Sequence, residues 1–279
     1  MEFLEGRWRD PDDGIWEIRG PRRHFTHSKV MAWVAADRAV KAVERFGLEG
    51  PVDRWRALRA AIHDEVCRRG YDAERNAFTQ SYGSKDLDAS LLMIPLVGFL
   101  PPGDERVRGT VRAIERELCW EGFVFRYSTD TGVDGLPPGE GAFLPCSFWL
   151  ADNYAMMGRD EDARELFDRL RSVQNDVGLL AEEYDPRTRR LLGNFPQAIS
   201  HVALIDTALN LFLEPPRVYR RLGSLSPTSS RDSSPCDRRL RTLPGGRNRS
   251  PRARRRRDIG PRWRPIAGVK GPGEDSLII

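Results

Sequence analysis

The sequence predicts an all-α domain over residues 1–216, followed by a disordered basic tail over residues 217–279. The first observation behind this prediction is the spacing of apolar residues, which recur three, four and seven positions apart in one segment after another. The second is the lack of alternating strand and helix patterns, which argues against a Rossmann fold or a TIM barrel. The third is a change of composition near residue 214, where the periodicity stops.

Seven helices are expected before the tail. Gly47 ends the first of them, and Pro51 follows that stop, as is typical of a helix C-terminus. Gly70 ends the second helix in the same way. Short links and long loops alternate along the chain, an order that suits helical hairpins packed in a ring with the functional loops at one end. The expected helices cover residues 24–46, 53–69, 86–97, 104–118, 142–157, 160–174 and 197–213, with an extended segment over 77–82 and an irregular one over 120–141.

Charge is distributed unevenly along the chain. The whole sequence has 45 Lys and Arg residues and 41 Asp and Glu residues, but residues 217–279 hold 17 basic and 5 acidic residues. The first 216 residues are therefore acidic, and the tail is strongly basic. The tail is rich in Arg, Pro, Gly and Ser, a composition that favours disorder.

The rest of the composition argues against a disordered, membrane-spanning or disulfide-linked protein. Hydrophobic residues make up 39% of the chain, enough for a folded core, so global disorder is excluded. There is no run of 18 apolar residues and no signal-peptide pattern, so no membrane partner is expected. The four cysteines lie far apart without a CxxC pair, which predicts reduced thiols in a cytoplasmic protein and no metal site.

Two carboxylate motifs could carry chemistry. The first runs from Asp12 to Gly20 and places Glu17 directly after Trp16; the second runs from Gly178 to Pro186 and contains Glu182 and Glu183. Glycoside hydrolysis requires such a pair, because one carboxylic acid protonates the leaving oxygen and one carboxylate activates water or attacks the sugar. Residue type alone would favour solvated surface glutamates, since the chain has 41 acidic residues.

A set of short strings, taken in order, makes the hydrolytic interpretation specific. Residues 11–46 and 76–212 resemble glycoside hydrolase family 15, which includes glucoamylases, glucodextranases and bacterial trehalase-like enzymes. The strings that carry the resemblance are Gly14-Ile15-Trp16-Glu17, His24-Phe25-Thr26-His27-Ser28-Lys29, Gln80-Ser81-Tyr82-Gly83, Leu87-Asp88-Ala89-Ser90, Asp134-Gly135-Leu136-Pro137, Ser147-Phe148-Trp149-Leu150, Glu182-Glu183-Tyr184-Asp185 and Gly193-Asn194-Phe195-Pro196-Gln197-Ala198.

The resemblance implies a fold and a mechanism. The family folds as an (α/α)6 barrel of twelve helices and inverts the anomeric carbon, so this chain would form a partial barrel of about seven helices. Its general acid falls on Glu17 and its general base on Glu182, with Glu183 as a supporting neighbour. The expected substrate is an α-glucan or α-glucoside attacked from its end, and the reaction needs no cofactor and no metal. Further substrate-binding residues are expected at Trp16, Trp120, Arg126 and Tyr127, through aromatic stacking and through guanidinium hydrogen bonds to sugar hydroxyls.

The chain also departs from the family. Family members place a β-sandwich and several barrel helices before the acid motif, and those helices carry an arginine–aspartate pair that binds the non-reducing glucose. We therefore expect a C-terminal portion of the catalytic domain, and a catalytically inactive fragment that binds carbohydrate or a partner is the alternative function. A related phosphorylase is a third interpretation, against which Glu182 argues.

The tail after residue 216 has two interpretations. Translation of GC-rich DNA in a shifted frame explains its composition best. A nucleic-acid-binding arm is the alternative, because clustered arginines neutralise phosphates. No folded reader domain or aromatic platform accompanies the arginines, so nucleic acid is not expected as a partner. Neither the linkage that is cleaved nor the oligomeric state follows from the sequence.

Overall fold

The computed structural model describes residues 1–128 and 140–213. Within them the chain is mostly helical, which confirms the all-α class. The helices are α1 (Glu2–Arg7), α2 (Thr26–Phe46), α3 (Val52–Arg69), α4 (Met93–Leu96), α5 (Glu105–Glu117), α6 (Leu144–Met156), α7 (Asp160–Ser172) and α8 (Ala198–Phe212), with a 3-10 turn at Ala89–Leu92. The predicted disorder of residues 217–279 lies outside the described residues, as does the string Asp134–Pro137.

Short strands lie between several of the helices. They are β1 (Tyr71–Asp72), β2 (Ala77–Phe78), β3 (Cys119–Trp120), β4 (Phe123–Val124), β5 (Ala142–Phe143), β6 (Glu183–Asp185) and β7 (Arg190–Leu192). The last three form an antiparallel sheet in the order β5-β6-β7. In its register Phe143 lies opposite Glu183, and Glu183 lies opposite Leu192.

One predicted helix is wrong in its form. The apolar pattern over 86–97 predicts a continuous helix, but the structure has a 3-10 turn followed by the single-turn α4. The side chain of Asp88 accepts a hydrogen bond from the backbone N–H of Ser90 at 2.8 Å, so the helical conformation begins only at residue 89. Pro95, which lacks a backbone N–H, lies within the next turn.

Two further elements differ from the prediction for simple reasons. Helix α1 was not expected, because its six residues include no buried one and give no periodic signal. The predicted helix over 142–157 begins instead at Leu144, after β5 pairs with β6. Tertiary pairing of two residues cannot be read from local pattern.

The core is centred on α6, whose side chains are buried on nearly every face. Helix α6 packs on α7 and α8, while α2 packs on α3. The side chain of Asn153 on α6 donates a hydrogen bond to the carbonyl oxygen of Leu92 at 2.9 Å, which ties α6 to the 3-10 turn. The 3-10 turn that Asp88 caps is therefore tied to a fully packed helix.

Candidate active site

The loop before α2 presents Glu17, and Asp12 organises it. The Asp12 carboxylate accepts hydrogen bonds from the backbone N–H of Gly14 at 2.9 Å and from the Ser28 hydroxyl at 2.6 Å. It also pairs at 3.2 Å with Lys29, whose side chain is buried. The backbones of Asp12 and Arg23 hydrogen-bond to each other and close the loop at its base. The first carboxylate motif is thus a closed loop anchored on the start of α2.

Glu17 itself has an unusual backbone. Its φ is +50°, in the left-handed region that disfavours residues with a Cβ atom. The backbone N–H of the next residue, Ile18, donates to the carbonyl oxygen of Asp13 at 3.0 Å, and Ile18 is buried. The Glu17 side chain is exposed. A strained, tethered backbone that presents an exposed carboxyl group is a common feature of functional loops.

Trp16 points inward from the same loop. Its indole N–H donates to both carboxylate oxygens of Asp88, at 3.0 Å each. Its ring packs edge-on against Phe143 of β5, with 5.5 Å between the ring centroids, and lies 6.4 Å from Trp149 of α6. The expected sugar-stacking residue is thus held between the 3-10 turn and the three-stranded sheet.

Glu182 lies just before β6 and is fixed by Asn194. One of its carboxylate oxygens, Oε2, accepts hydrogen bonds from the backbone N–H of Asn194 at 3.0 Å and from the Asn194 side-chain amide at 2.9 Å. The backbone N–H of Glu182 donates to the carbonyl oxygen of Asn194 at 2.9 Å. A Cβ atom at Gly193, where φ is +72°, would lie 2.8 Å from that same oxygen. The position of the carboxylate therefore requires glycine at residue 193.

Glu183 faces the opposite way along the strand and forms a charged cluster with Arg126 and Glu140. Arg126 pairs with Glu183 at 3.3 Å and hydrogen-bonds to Glu140. Glu183 also accepts a hydrogen bond from the backbone N–H of Gly141 at 3.0 Å. Burial raises the pKa of Glu183, while Arg126 and the Gly141 N–H oppose that rise. Glu183 thus resembles a structural partner of Arg126 more than a solvated acid.

Arg126 links the two carboxylate motifs. Its guanidinium carbon lies 5.6 Å from the ring centroid of Trp16 and 5.8 Å from that of Phe143. Phe143 in turn pairs with Glu183, the neighbour of Glu182. The loop that carries Trp16 and Glu17 therefore meets the strand that begins at Glu183 around the Arg126 side chain, although the two are far apart in sequence.

Tyr127 and Trp120, two further expected substrate-binding residues, differ in their relation to Arg126. Tyr127 is only 5% exposed, its backbone pairs with that of Asp88, and its ring centroid lies 5.9 Å from the guanidinium carbon of Arg126. Trp120 is 43% exposed on β3, where its ring lies 5.7 Å from the guanidinium carbon of Arg187. Among the described ring contacts, none joins Trp120 to Trp16 or Arg126. Trp16, Tyr127 and Glu183 are brought together around Arg126.

Sequence reasoning missed three residues that shape this site. Asp88 and Asn194 lie in strings already noted, Leu87–Ser90 and Gly193–Ala198, but neither was assigned a role. Glu140 follows a segment rich in Gly and Pro and carries no pattern that would single it out. Its pairing with Arg126 depends on the folded backbone alone.

Two structural features are absent from the described part of the chain. Over residues 1–128 and 140–213 there is no group of three or more His, Cys, Asp or Glu side chains able to hold a metal ion. No helix in the same residues has the length and apolar character to cross a bilayer. Cys67, Cys119 and Cys146 are free thiols.

Known proteins resemble this chain in sequence. Over 204 residues the chain is 48% identical to a trehalase of Mycobacterium tuberculosis, a match that covers 73% of this chain and 30% of the relative. It is 41% identical to a trehalase of Thermoplasma volcanium over 76% of this chain and 34% of that relative. The chain therefore spans about a third of the length of the curated relatives that it matches.

Solved structures show the same fold at lower identity. A wild-type glycosidase superposes with a TM-score of 0.62 and 19% identity, over 80% of this chain and 58% of its own. A glycosidase variant in complex with glucose gives a TM-score of 0.59 with 18% identity, over 74% and 51%. The expected partial helical-barrel fold is thereby confirmed. Residues 1–209 match the profile of glycosyl hydrolases family 15, and with relatives this similar in sequence the chain belongs to that family.

Proposed function

We propose that this chain carries the acid and base of an inverting, exo-acting α-glucoside hydrolase, with Glu17 as general acid and Glu182 as general base. The observation that supports the proposal best is the meeting of the two carboxylate motifs around Arg126. The trehalase relatives make α,α-trehalose the first substrate to test. Maltose, isomaltose and dextrin are the alternatives.

The proposed reaction adds one water molecule across the glycosidic bond. The carboxylic acid of Glu17 gives its proton to the glycosidic oxygen as the bond from that oxygen to the anomeric carbon breaks. The Glu182 carboxylate takes a proton from water as the water oxygen bonds to the opposite face of the same carbon. Proton exchange with solvent then restores both side chains. Attack from the opposite face converts an α-glucoside into β-glucose.

The geometry of Glu182 suits a base that acts through water. Asn194 occupies Oε2 with two donors, and among the described residues Oε1 accepts no hydrogen bond. A carboxylate held by one oxygen keeps the other available to orient a water molecule. The charge of Arg126 is engaged by Glu140 and Glu183, so its contribution is to the shape of the site more than to direct hydrogen bonding of sugar.

The stereochemistry of trehalose hydrolysis tests the proposal directly. Inversion at one glucose releases equal amounts of α- and β-glucose at early times, whereas retention releases α-glucose alone, and proton NMR distinguishes the anomers before mutarotation. Glu17→Gln and Glu182→Gln should each abolish hydrolysis. Glu121→Gln is the matched control, because Glu121 is also exposed and has a φ of +51°. Hydrolysis that survives Glu17→Gln would contradict the assignment.

A second candidate function is binding to further helices, and a specific surface favours it. Helix α8 exposes an apolar stripe that includes Ile199, Val202 and Ile205, of which Val202 is 57% exposed. A groove of 630 Å³ between α1 and the start of α2 is also lined by apolar residues, among them Phe3 and Met31. Contiguous exposed apolar patches of this kind usually mark contact surfaces. The solved glycosidases extend well beyond the part that this chain matches.

Mixing experiments separate the two candidates. The chain would be combined with a polypeptide made of the part of the M. tuberculosis relative that the match does not cover. A stable complex seen by light scattering, with trehalose hydrolysis appearing only on mixing, would favour the binding function. Ile205→Lys should weaken the complex, whereas Val177→Lys, at an exposed apolar residue outside α8, should not. Hydrolysis by the chain alone would favour the first candidate.

A further inference from the structure

Asp88 is a buried carboxylate in the string Leu87–Ser90, to which the proposed mechanism gives no role. Its side chain is 2% exposed. It accepts hydrogen bonds from the Trp16 indole N–H at 3.0 Å on both oxygens and from the Gln80 side-chain amide at 3.1 Å. The backbone N–H of Ser90 adds a fourth contact at 2.8 Å. Each of its donors is a neutral N–H group.

A buried carboxylate without a cationic partner is costly to retain. In the described residues no Lys or Arg side chain forms an ion pair with Asp88. His27 lies near it, but burial lowers the pKa of His27 and favours the neutral imidazole, even though Asp88 and Asp12 act in the opposite direction. Burial of an unpaired charge disfavours the folded state unless hydrogen bonds compensate it. The main compensation available here is the set of N–H donors that Asp88 gathers around itself.

Contacts of Asp88 and its neighbour Ala89 connect the parts of the candidate site. Trp16 directly precedes Glu17, so the indole that Asp88 holds is one residue away from the proposed acid. The backbone of Asp88 pairs with Tyr127, and the backbone N–H of Ala89 donates to the carbonyl oxygen of Arg126 at 2.8 Å. Asp88 therefore touches both the loop of Glu17 and the segment of Arg126, through contacts that do not require substrate.

We propose that Asp88 is a positioning residue, whose carboxylate clamps the Trp16 indole and thereby fixes the strained loop that carries Glu17. The inference rests on the proposed function insofar as Glu17 is the acid. The clamp itself does not depend on that assignment. If the indole were released, the left-handed backbone of Glu17 should exchange with other conformations, because the Asp12 contacts and the Ile18 N–H would then hold the loop without its anchor at Trp16.

Hydrogen exchange tests the contact between Asp88 and Trp16 without a measurement of catalytic activity. The chain has seven tryptophans, and the indole signal of Trp16 in ¹H–¹⁵N spectra is the one lost in Trp16→Phe. In Asp88→Asn, exchange should quicken about tenfold at the Trp16 indole and at the Ile18 backbone amide, because one acceptor for the indole is replaced by an amide donor. Asp86→Asn, the same change two residues away, should leave both rates unaltered. Trp16→Phe, which removes the donor, should also quicken exchange at Ile18.

Unchanged exchange at Trp16 and Ile18 in Asp88→Asn would overturn the proposal. If that variant fails to fold, as far-UV circular dichroism would show, Trp16→Phe decides the matter. Slow exchange at Ile18 in folded Trp16→Phe would mean that the clamp does not hold the loop.

Kinetics then test whether the clamp serves the acid. In Asp88→Asn, kcat for trehalose should fall about 100-fold with little change in KM, because acid catalysis depends on the placement of Glu17. α-Glucosyl fluoride needs little protonation of its leaving group, so its kcat should fall far less. Equal losses on both substrates would refute a role through Glu17. If the unsubstituted chain hydrolyses neither substrate, alone or in the mixed complex, the proposed function fails, and the test of the clamp then rests on the exchange rates.

Discussion

The close approach of Gly193 to Glu182 yields a quantitative prediction. A Cβ atom added at residue 193 would lie 2.8 Å from Oε2 of Glu182 and 2.9 Å from its Cβ atom, closer than real contacts allow. Gly178 provides a matched control, because its φ is +81° but nothing lies within 4 Å of an added Cβ atom. Both Gly193→Ala and Gly178→Ala therefore place a side chain on a left-handed backbone and lose stability for that reason. Only Gly193→Ala also disturbs the Glu182 carboxylate.

The expected losses of stability follow from the cost of a left-handed backbone and from the displacement of the Glu182 carboxylate. A left-handed residue with a side chain costs about 1–2 kcal/mol, and the reduced entropy of the unfolded chain returns about 0.4–1 kcal/mol. Gly178→Ala should therefore lower the free energy of unfolding by about 1 kcal/mol. Gly193→Ala must also displace Glu182 from the two donors of Asn194, which adds about 1–3 kcal/mol. The two variants should differ by that added amount.

Urea denaturation measures this difference. The midpoints of both variants are compared with that of the unsubstituted chain, and an unchanged slope shows that the same transition is followed. In any form that hydrolyses trehalose, Gly193→Ala should also lose kcat, whereas Gly178→Ala should keep it. Equal losses of stability in the two variants would refute the close contact between residue 193 and the Glu182 carboxylate.

Three further predictions concern other parts of the described chain. Burial lowers the pKa of His27, so as pH falls below about 6.5 the unfolded chain binds a proton at this residue before the folded chain does. The free energy of unfolding should therefore decline below that pH. His27→Asn should flatten the decline, as urea midpoints measured from pH 7.5 to 5 would show. Gly109→Ala would place a Cβ atom 1.9 Å from the carbonyl oxygen of Asn76 and should cost about 3 kcal/mol by calorimetry, whereas Gly103→Ala, with open space, should be nearly neutral. Arg126→Met leaves two carboxylates without their cation and should lower the free energy of unfolding by about 2–4 kcal/mol at pH 7. The loss should shrink as pH falls, because burial raises the pKa of Glu183 and so widens the pH range in which that carboxyl is neutral.

The long helices were predictable because their signals are local. The expected helix over 24–46 begins at Thr26 and ends at Phe46, where Gly47 adopts a left-handed φ of +68° as a C-terminal glycine commonly does. Apolar periodicity and terminal residues lie within a few positions of each other, so no tertiary information is needed. The prediction of a continuous helix over 86–97 was wrong because its start depends on a distant residue. Asp88 is turned toward Trp16 by a contact that spans 72 residues, and local pattern does not contain that contact.

The candidate site was predictable in its residue types but only partly in its grouping. Trp16, Arg126 and Glu183 were chosen from motifs and do meet in the folded chain. Tyr127 was chosen from its place beside Arg126, and its buried ring lies 5.9 Å from that guanidinium carbon, whereas Trp120 has its described ring contact with Arg187. The catalytic roles of Glu17 and Glu182 stay predictions until their variants are assayed.

The sequence by itself determined the helical class and most helix ends, and it singled out the two carboxylate motifs, because each of these depends on residues close together in the chain. Only the tertiary structure decided how the carboxylates are held. Asn194 fixes Glu182 from 12 residues away, Asp88 holds the neighbour of Glu17 from 72, and Glu140 shares Arg126 with Glu183. Such pairings depend on where the backbone brings distant segments, and no local pattern encodes them.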